Sequence, residues 1–208
     1  MTTLSEYIVD NISESILSST RTGKAGIDEE LRQYGLDPAK ATLNADGTID
    51  YDGDVMLSSK HLTRLPFRFR TVTGVFYCFA NELTTLDGCP IVVKDDFDCI
   101  SNKLVNLKGG PKQVYGFFAC YNNDLTTLEG APEKIKGFFD CSHNNLTSLK
   151  GGPEQVGGNY DCSCNSLISL EGLPKKLKKQ LFCYNNPGAF TKEDVLKLCK
   201  IDKNKMRT

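Results

Sequence analysis

Apolar residues in this 208-residue chain return to the same places every 21 positions. An aliphatic column runs through Val72, Val93, Val114, Ile135, Val156 and Leu177, and four residues later comes Phe76, Phe97, Phe118, Phe139, Tyr160 or Leu181. Two residues beyond stands Cys78, Cys99, Cys120, Cys141, Cys162 or Cys183, and three further on Asn81, Asn102, Asn123, Asn144, Asn165 or Asn186. Leucine fills two more columns, through Leu83, Leu104, Leu125, Leu146 and Leu167 and through Leu86, Leu107, Leu128, Leu149 and Leu170. Glycine follows from Gly88 to Gly172 and proline from Pro90 to Pro174, at the same spacing. Eight columns keep register without one insertion, so the unit is a structural repeat.

Each column has a physical reason. Phe-x-Cys alternates at period 2, which puts both side chains on one face of a short strand. Stacked units lay strand on parallel strand, and each coil closes the core of the next. Asparagine at a fixed turn position can bond the backbone of its own coil and of its neighbour, as a ladder. Glycine and proline then turn the chain back without a helix. The pattern predicts a mainly β solenoid, a right-handed coil of about seven units over residues 45–188, with one parallel concave sheet and an extended or 3₁₀ return side.

The flanks read differently. Residues 3–17 predict a helix, with a Thr3/Glu6 capping box and Leu4, Ile8, Ile12 and Ile16 every four residues. A linker at 18–26 leads to a second helix at 27–34, ended by Gly35. Residues 1–44 are thus expected to form a helical cap, and 189–208 a capping helix started by Thr191 and Asp194, with Val195, Leu196 and Leu198 sealing the last coil. The basic tail at 203–208 is expected to fray.

Twenty-five basic against 26 acidic residues leave a net charge of -1, with no overall pull toward nucleic acid or an anionic membrane. No basic leader with an apolar run opens the chain, and no apolar stretch reaches membrane-spanning length, so a cytoplasmic protein is expected. Nine cysteines, an odd number, fit reduced thiols. Equivalent positions on adjacent strands lie about 4.8 Å apart with parallel Cβ vectors, which suits neither a disulfide nor a zinc tetrahedron. The cysteine column is therefore expected to be packed core, with Cys164 the exposed exception. Asp46, Asp50, Asp52 and Asp54 hint at calcium, but the rest of an EF-hand loop is missing. His61 and His143 stand four repeats apart, and no catalytic fingerprint appears, so no enzymatic activity, cofactor or metal is expected.

The outward positions of the strands carry the candidate chemistry. Phe117 and Phe138 stand in one column with Asp96; Tyr77, Asp98, Asp140, Asp161 and Phe182 in the next; Phe79, Tyr121 and Tyr184 in the third. A merely solvated face needs no such aromatics, and clustered exposed rings are typical anchors of protein interfaces. The carboxylates beside them imply a partner protein with a basic patch.

The unit from Val114 through Asn123, Leu125 and Leu128 to Pro132 resembles the short bacterial-type leucine-rich repeat. More closely, the lead-in from Ala45 to Leu57 with Leu62, Leu65 and Pro66, and the ending from Phe190 to Val195, resemble repeat proteins of large tailed phages and some bacteria. The resemblance spans about residues 31–200. The chain departs from it at Asp95 in place of glycine, Leu57 in place of the first cysteine and Gly188 in place of the last leucine. It implies a capped solenoid that recognises another macromolecule, and, if phage-encoded, one that blocks or redirects a host protein in the host cytoplasm. A structural, self-assembling role in a virion is the alternative; oligomeric state is left open.

Overall fold

A computed structural model describes residues 24–207, and the expected helix at 3–17 lies outside them. The described chain is a parallel β-solenoid that carries two sheets rather than one. The front sheet has eight strands: Val55–Met56, Phe76–Tyr77, Phe97–Asp98, Phe118–Ala119, Phe139–Asp140, Tyr160–Asp161, Leu181–Phe182 and Met206–Arg207. The back sheet has seven, running from the Ala41–Leu43/Ile49–Tyr51 hairpin through Phe69–Val72, Val92–Val93, Gln113–Val114 and Lys134–Ile135 to Gln155–Val156. Repeat-to-repeat pairing is parallel and holds the 21-residue register, as in Phe139 opposite both Phe118 and Tyr160. In the aliphatic column Val93, Val114, Ile135 and Val156 are each the inward half of a two-residue strand.

The core lies between the sheets. Phe76, Phe97, Phe118, Phe139 and Tyr160 have no exposed surface, and their rings follow one another at 4.9–5.8 Å. Between back and front strands only three residues make the bend. Gly116 sits there against the coil below, where a Cβ would collide with the Asp96 carboxylate. On the return side Gly88, Gly109, Gly130, Gly151 and Gly172 all take positive φ, which L side chains resist.

The asparagine ladder closes the bend as expected. Asn123 Nδ2 donates to the carbonyl of Cys99 in the previous coil (3.0 Å) and to that of Cys120 in its own (3.2 Å), while Oδ1 accepts from the Leu104 N–H (3.1 Å). The cysteines are free, and all but Cys164 are buried. Each thiol from Cys99 to Cys162 also faces a carbonyl oxygen of the following coil, at 3.3–3.5 Å.

At the N-terminal end, helix α1 (Lys24–Gln33) buries Leu31 and stops at Gly35 (φ 78°). The Leu36 N–H bonds the Leu31 carbonyl and the Gly35 N–H that of Arg32, a Schellman ending with Leu36 buried. At the other end, helix α2 (Lys192–Leu198) has a full Thr191/Asp194 capping box. Val195 and Cys199 are buried and Leu196 packs on the core, but Leu198 is 48% exposed, against expectation. At 100° per residue, Leu198 lies roughly 100° from the middle of the arc that the other three define.

The tail also departs from the expected fraying. Met206–Arg207 pairs with Leu181–Phe182 as the last front strand, and Met206 is 1% exposed. Two of the sequence departures have local causes. Leu57 fills the first cysteine position with no exposed surface, and at Gly188 the Phe190 ring takes the space of the missing leucine.

Candidate functional site

The outward face of the front sheet holds the aromatic and acidic residues, set by strand alternation. Phe79, Tyr77, Phe117 and Phe138 form one continuous run of rings. Tyr77 lies 6.1 Å from Phe79 and 6.3 Å from Phe117, and Phe117 stacks on Phe138 at 4.6 Å and 11°. Phe138 is 39% exposed; the other three are half-buried. Tyr121 is half-buried as well, near Asp98 and Asp140. Phe182 and Tyr184 stand two coils beyond that of Phe138, and no ring contact among the described residues joins them to the run. The face therefore has an aromatic half, with Asp140 and Asp161 opposite one another on adjacent strands at its border.

The aspartates do two things. Asp98 Oδ1 accepts from the Ile100 N–H at 2.9 Å. Asp140 and Asp161 accept likewise from the N–H and hydroxyl of Ser142 and Ser163, at 2.6–2.9 Å. Asp96 Oδ1 reaches across to the Phe117 N–H of the next coil at 2.7 Å. These are turn and ladder bonds, and for Asp140 and Asp161 the Asp-x-Ser spacing was the signal in the sequence that could have shown them. Each uses one oxygen only. Among the described residues none of the four carboxylates forms an ion pair.

Burial raises the carboxyls of Asp96, Asp98 and Asp140 above their ordinary range, and for Asp140 the Asp161 charge adds to the rise. Burial and the same aspartates raise the Tyr77 and Tyr121 phenols. The face is thus a set of half-buried carboxylates without an ion pair among the described residues, His143 being close enough to act on Asp140, beside rings that keep surface open to solvent. It can hold a cation, or a cationic side chain with an apolar stem.

A backbone feature borders it. Ala80, Ser101, Asn122, His143, Cys164 and Asn185 all take left-handed φ of 52–57°, one per coil, immediately before the ladder asparagine. Sequence reasoning missed this column because half of it, Ala80, Ser101 and Cys164, consists of residue types that do not favour such a conformation. It turns His143 and Cys164 away from the core.

The four aspartates from 46 to 54 are separately engaged. Asp46 caps Thr48, Asp50 pairs with Arg70, Asp52 accepts from the Thr73 hydroxyl and Asp54 from the Val75 N–H. Among the described residues no group of three or more His, Cys, Asp or Glu side chains is placed to hold a metal ion. No helix among them is long and apolar enough to cross a membrane. No protein-family model matches the chain, and comparison with curated proteins and with solved structures gives no match.

Proposed function

We propose that this chain is a non-enzymatic protein-binding module that holds a basic partner on its front sheet. The observation that carries the reading is the Phe117–Phe138 stack, its outer ring 39% exposed, beside four carboxylates that form no ion pair among the described residues. Each aspartate serves its own coil or the next with one oxygen and leaves the other outside any ion pair, so a docked Lys or Arg would give it a counter-charge. The rings would supply the desolvated centre that makes such charge pairs count. The resemblance to tailed-phage repeat proteins makes a host protein, blocked or redirected in the host cytoplasm, the fitting partner.

The test is quantitative capture on immobilised protein, comparing the wild type with the Phe117→Ser/Tyr121→Ser/Phe138→Ser variant. Loss of aromatic anchors should weaken the captured partner at least roughly 30-fold, about 2 kcal/mol. Strand content by circular dichroism should stay unchanged. A variant that unfolds would make the rings core, and a variant that binds equally well would move the interface elsewhere.

A further inference from the structure

The net charge of -1 conceals two oppositely charged faces. Behind the acidic front, the back sheet carries a groove of ≈790 Å³ at its C-terminal half. Its floor is backbone over the buried Ile135, Val156 and Leu173, and its rim is Lys134, Lys136, Lys175, Lys176 and Lys178 against one acid, Glu154. A second groove of ≈640 Å³ shares Lys134 and Lys136 and adds Lys112, Tyr115 and one acid, Glu133. No ion pair among the described residues uses these lysines, and only Lys136 has an aromatic seat, 4.1 Å above the Tyr115 ring.

We infer that the back groove receives the front face of a second copy of this chain, Phe138 lying between the lysine stems and the ammonium groups meeting Asp98, Asp140 and Asp161. This rests on the front sheet being a protein-docking face, as proposed above. Three observations favour a copy over any other occupant. Both faces are built on the same coils: Lys134–Ile135 leads in three residues to Phe139–Asp140. Both also repeat on the same lattice. Asp98 and Asp140 are two coils apart, as are Lys134 and Lys176, and Lys136 and Lys178, which is about 10 Å at strand spacing. Finally, the exposed lysines offer apolar stems as well as charge, and the front offers rings as well as carboxylates.

Front-to-back contact uses two different patches, so it is heterologous and each docked copy leaves one face open. Copies would add side by side in an open row, more readily at low ionic strength.

The test is the solution mass of the full chain by sedimentation velocity, with two blocked variants. Phe138→Lys/Asp140→Asn/Asp161→Asn disables the front while asparagine keeps the turn acceptor. Lys134→Glu/Lys136→Glu/Lys176→Glu disables the back at three exposed positions. The wild type should grow in mass with concentration and return to monomer in high salt. Each variant alone should stay monomeric, and an equimolar mixture should form a dimer and stop there, since one intact front meets one intact back. A mixture that stays monomeric, or variants that assemble alone, overturns the inference. So does a wild type that stays monomeric while it binds a polyphosphate through the same lysines. A wild type that stays monomeric while its front still captures a foreign basic protein overturns self-docking and leaves the front-sheet function intact.

Discussion

Cys120 has no exposed surface, and its sulfur faces the Asp140 carbonyl at 3.4 Å. Burial pushes this thiol and that of Cys141 well above the ordinary range. The thiolate is the reactive form, so neither should react while the coils stay closed. Cys164, half-exposed in its left-handed turn, is differently placed. In native alkylation followed by mass spectrometry, Cys164 should label first and Cys120 and Cys141 only on unfolding; early labelling of Cys120 would sink the packed-ladder account. Asp140 is the opposite case, a charge the fold tolerates poorly. Its folded pKa is raised by burial, so the native state binds the proton more readily than the unfolded state. Stability from this group therefore falls as pH rises through the carboxylate range and is greatest in acid. Asp140→Asn keeps the acceptor for Ser142 and removes the titration. The variant should be the more stable at neutral pH, with the gap closing as pH is lowered in denaturant titrations. A gap that widens in acid would mean the carboxylate is stabilised in the free protein.

Within a coil, the asparagine is the element that fixes the bend. Asn123 is 8% exposed and satisfies groups of two coils at once, whereas Asn186 in the last full coil is half-exposed. Asn123→Ala strands the Leu104 N–H away from water and leaves the Cys99 carbonyl with Asn102 as its one remaining amide donor, at a cost of about 2 kcal/mol. Asn186→Ala should cost about 1 kcal/mol, because water can reach the groups it leaves. Equal losses in urea unfolding would show that the ladder does not act through buried satisfaction. The ladder, the inward Phe and Cys columns and both helix ends at Gly35 and Thr191 were legible in the sequence, because each rests on a residue type with one physical use there. The back sheet was not. A two-residue strand such as Gln113–Val114 turns only one side chain inward, so alternation cannot show. The candidate face was legible in position and only partly in role: Asp140 and Asp161 were read as partner charges, and they are also the caps of their own turns.

The molecule as a whole is a stack in which each coil contacts mainly its neighbours, so what happens at one end should stay near that end. Composition averaged over the stack concealed the charge division, because front aspartates and back lysines cancel in the sum. The same locality makes the tail a sharp test of architecture. Nothing in residues 203–208 repeats the Phe-x-Cys signature, yet Met206 covers the Leu181 position. The Cys183 N–H also ends on the Arg207 carbonyl at 2.9 Å, and Lys205 Nζ donates to the Lys178 carbonyl. Deleting residues 202–208 uncovers the apolar end of the front sheet and leaves a strand edge free to pair with another chain. The loss of one buried methionine side chain is roughly 2 kcal/mol, which lowers the melting temperature of a chain this size by roughly 4–8 °C. Cys183 should become readily alkylated, while Cys120, three coils away, keeps its native protection. If the truncated protein melts as before and Cys183 stays protected, the last strand is not the cap. If Cys120 loses protection together with Cys183, the solenoid unfolds as one unit rather than coil by coil.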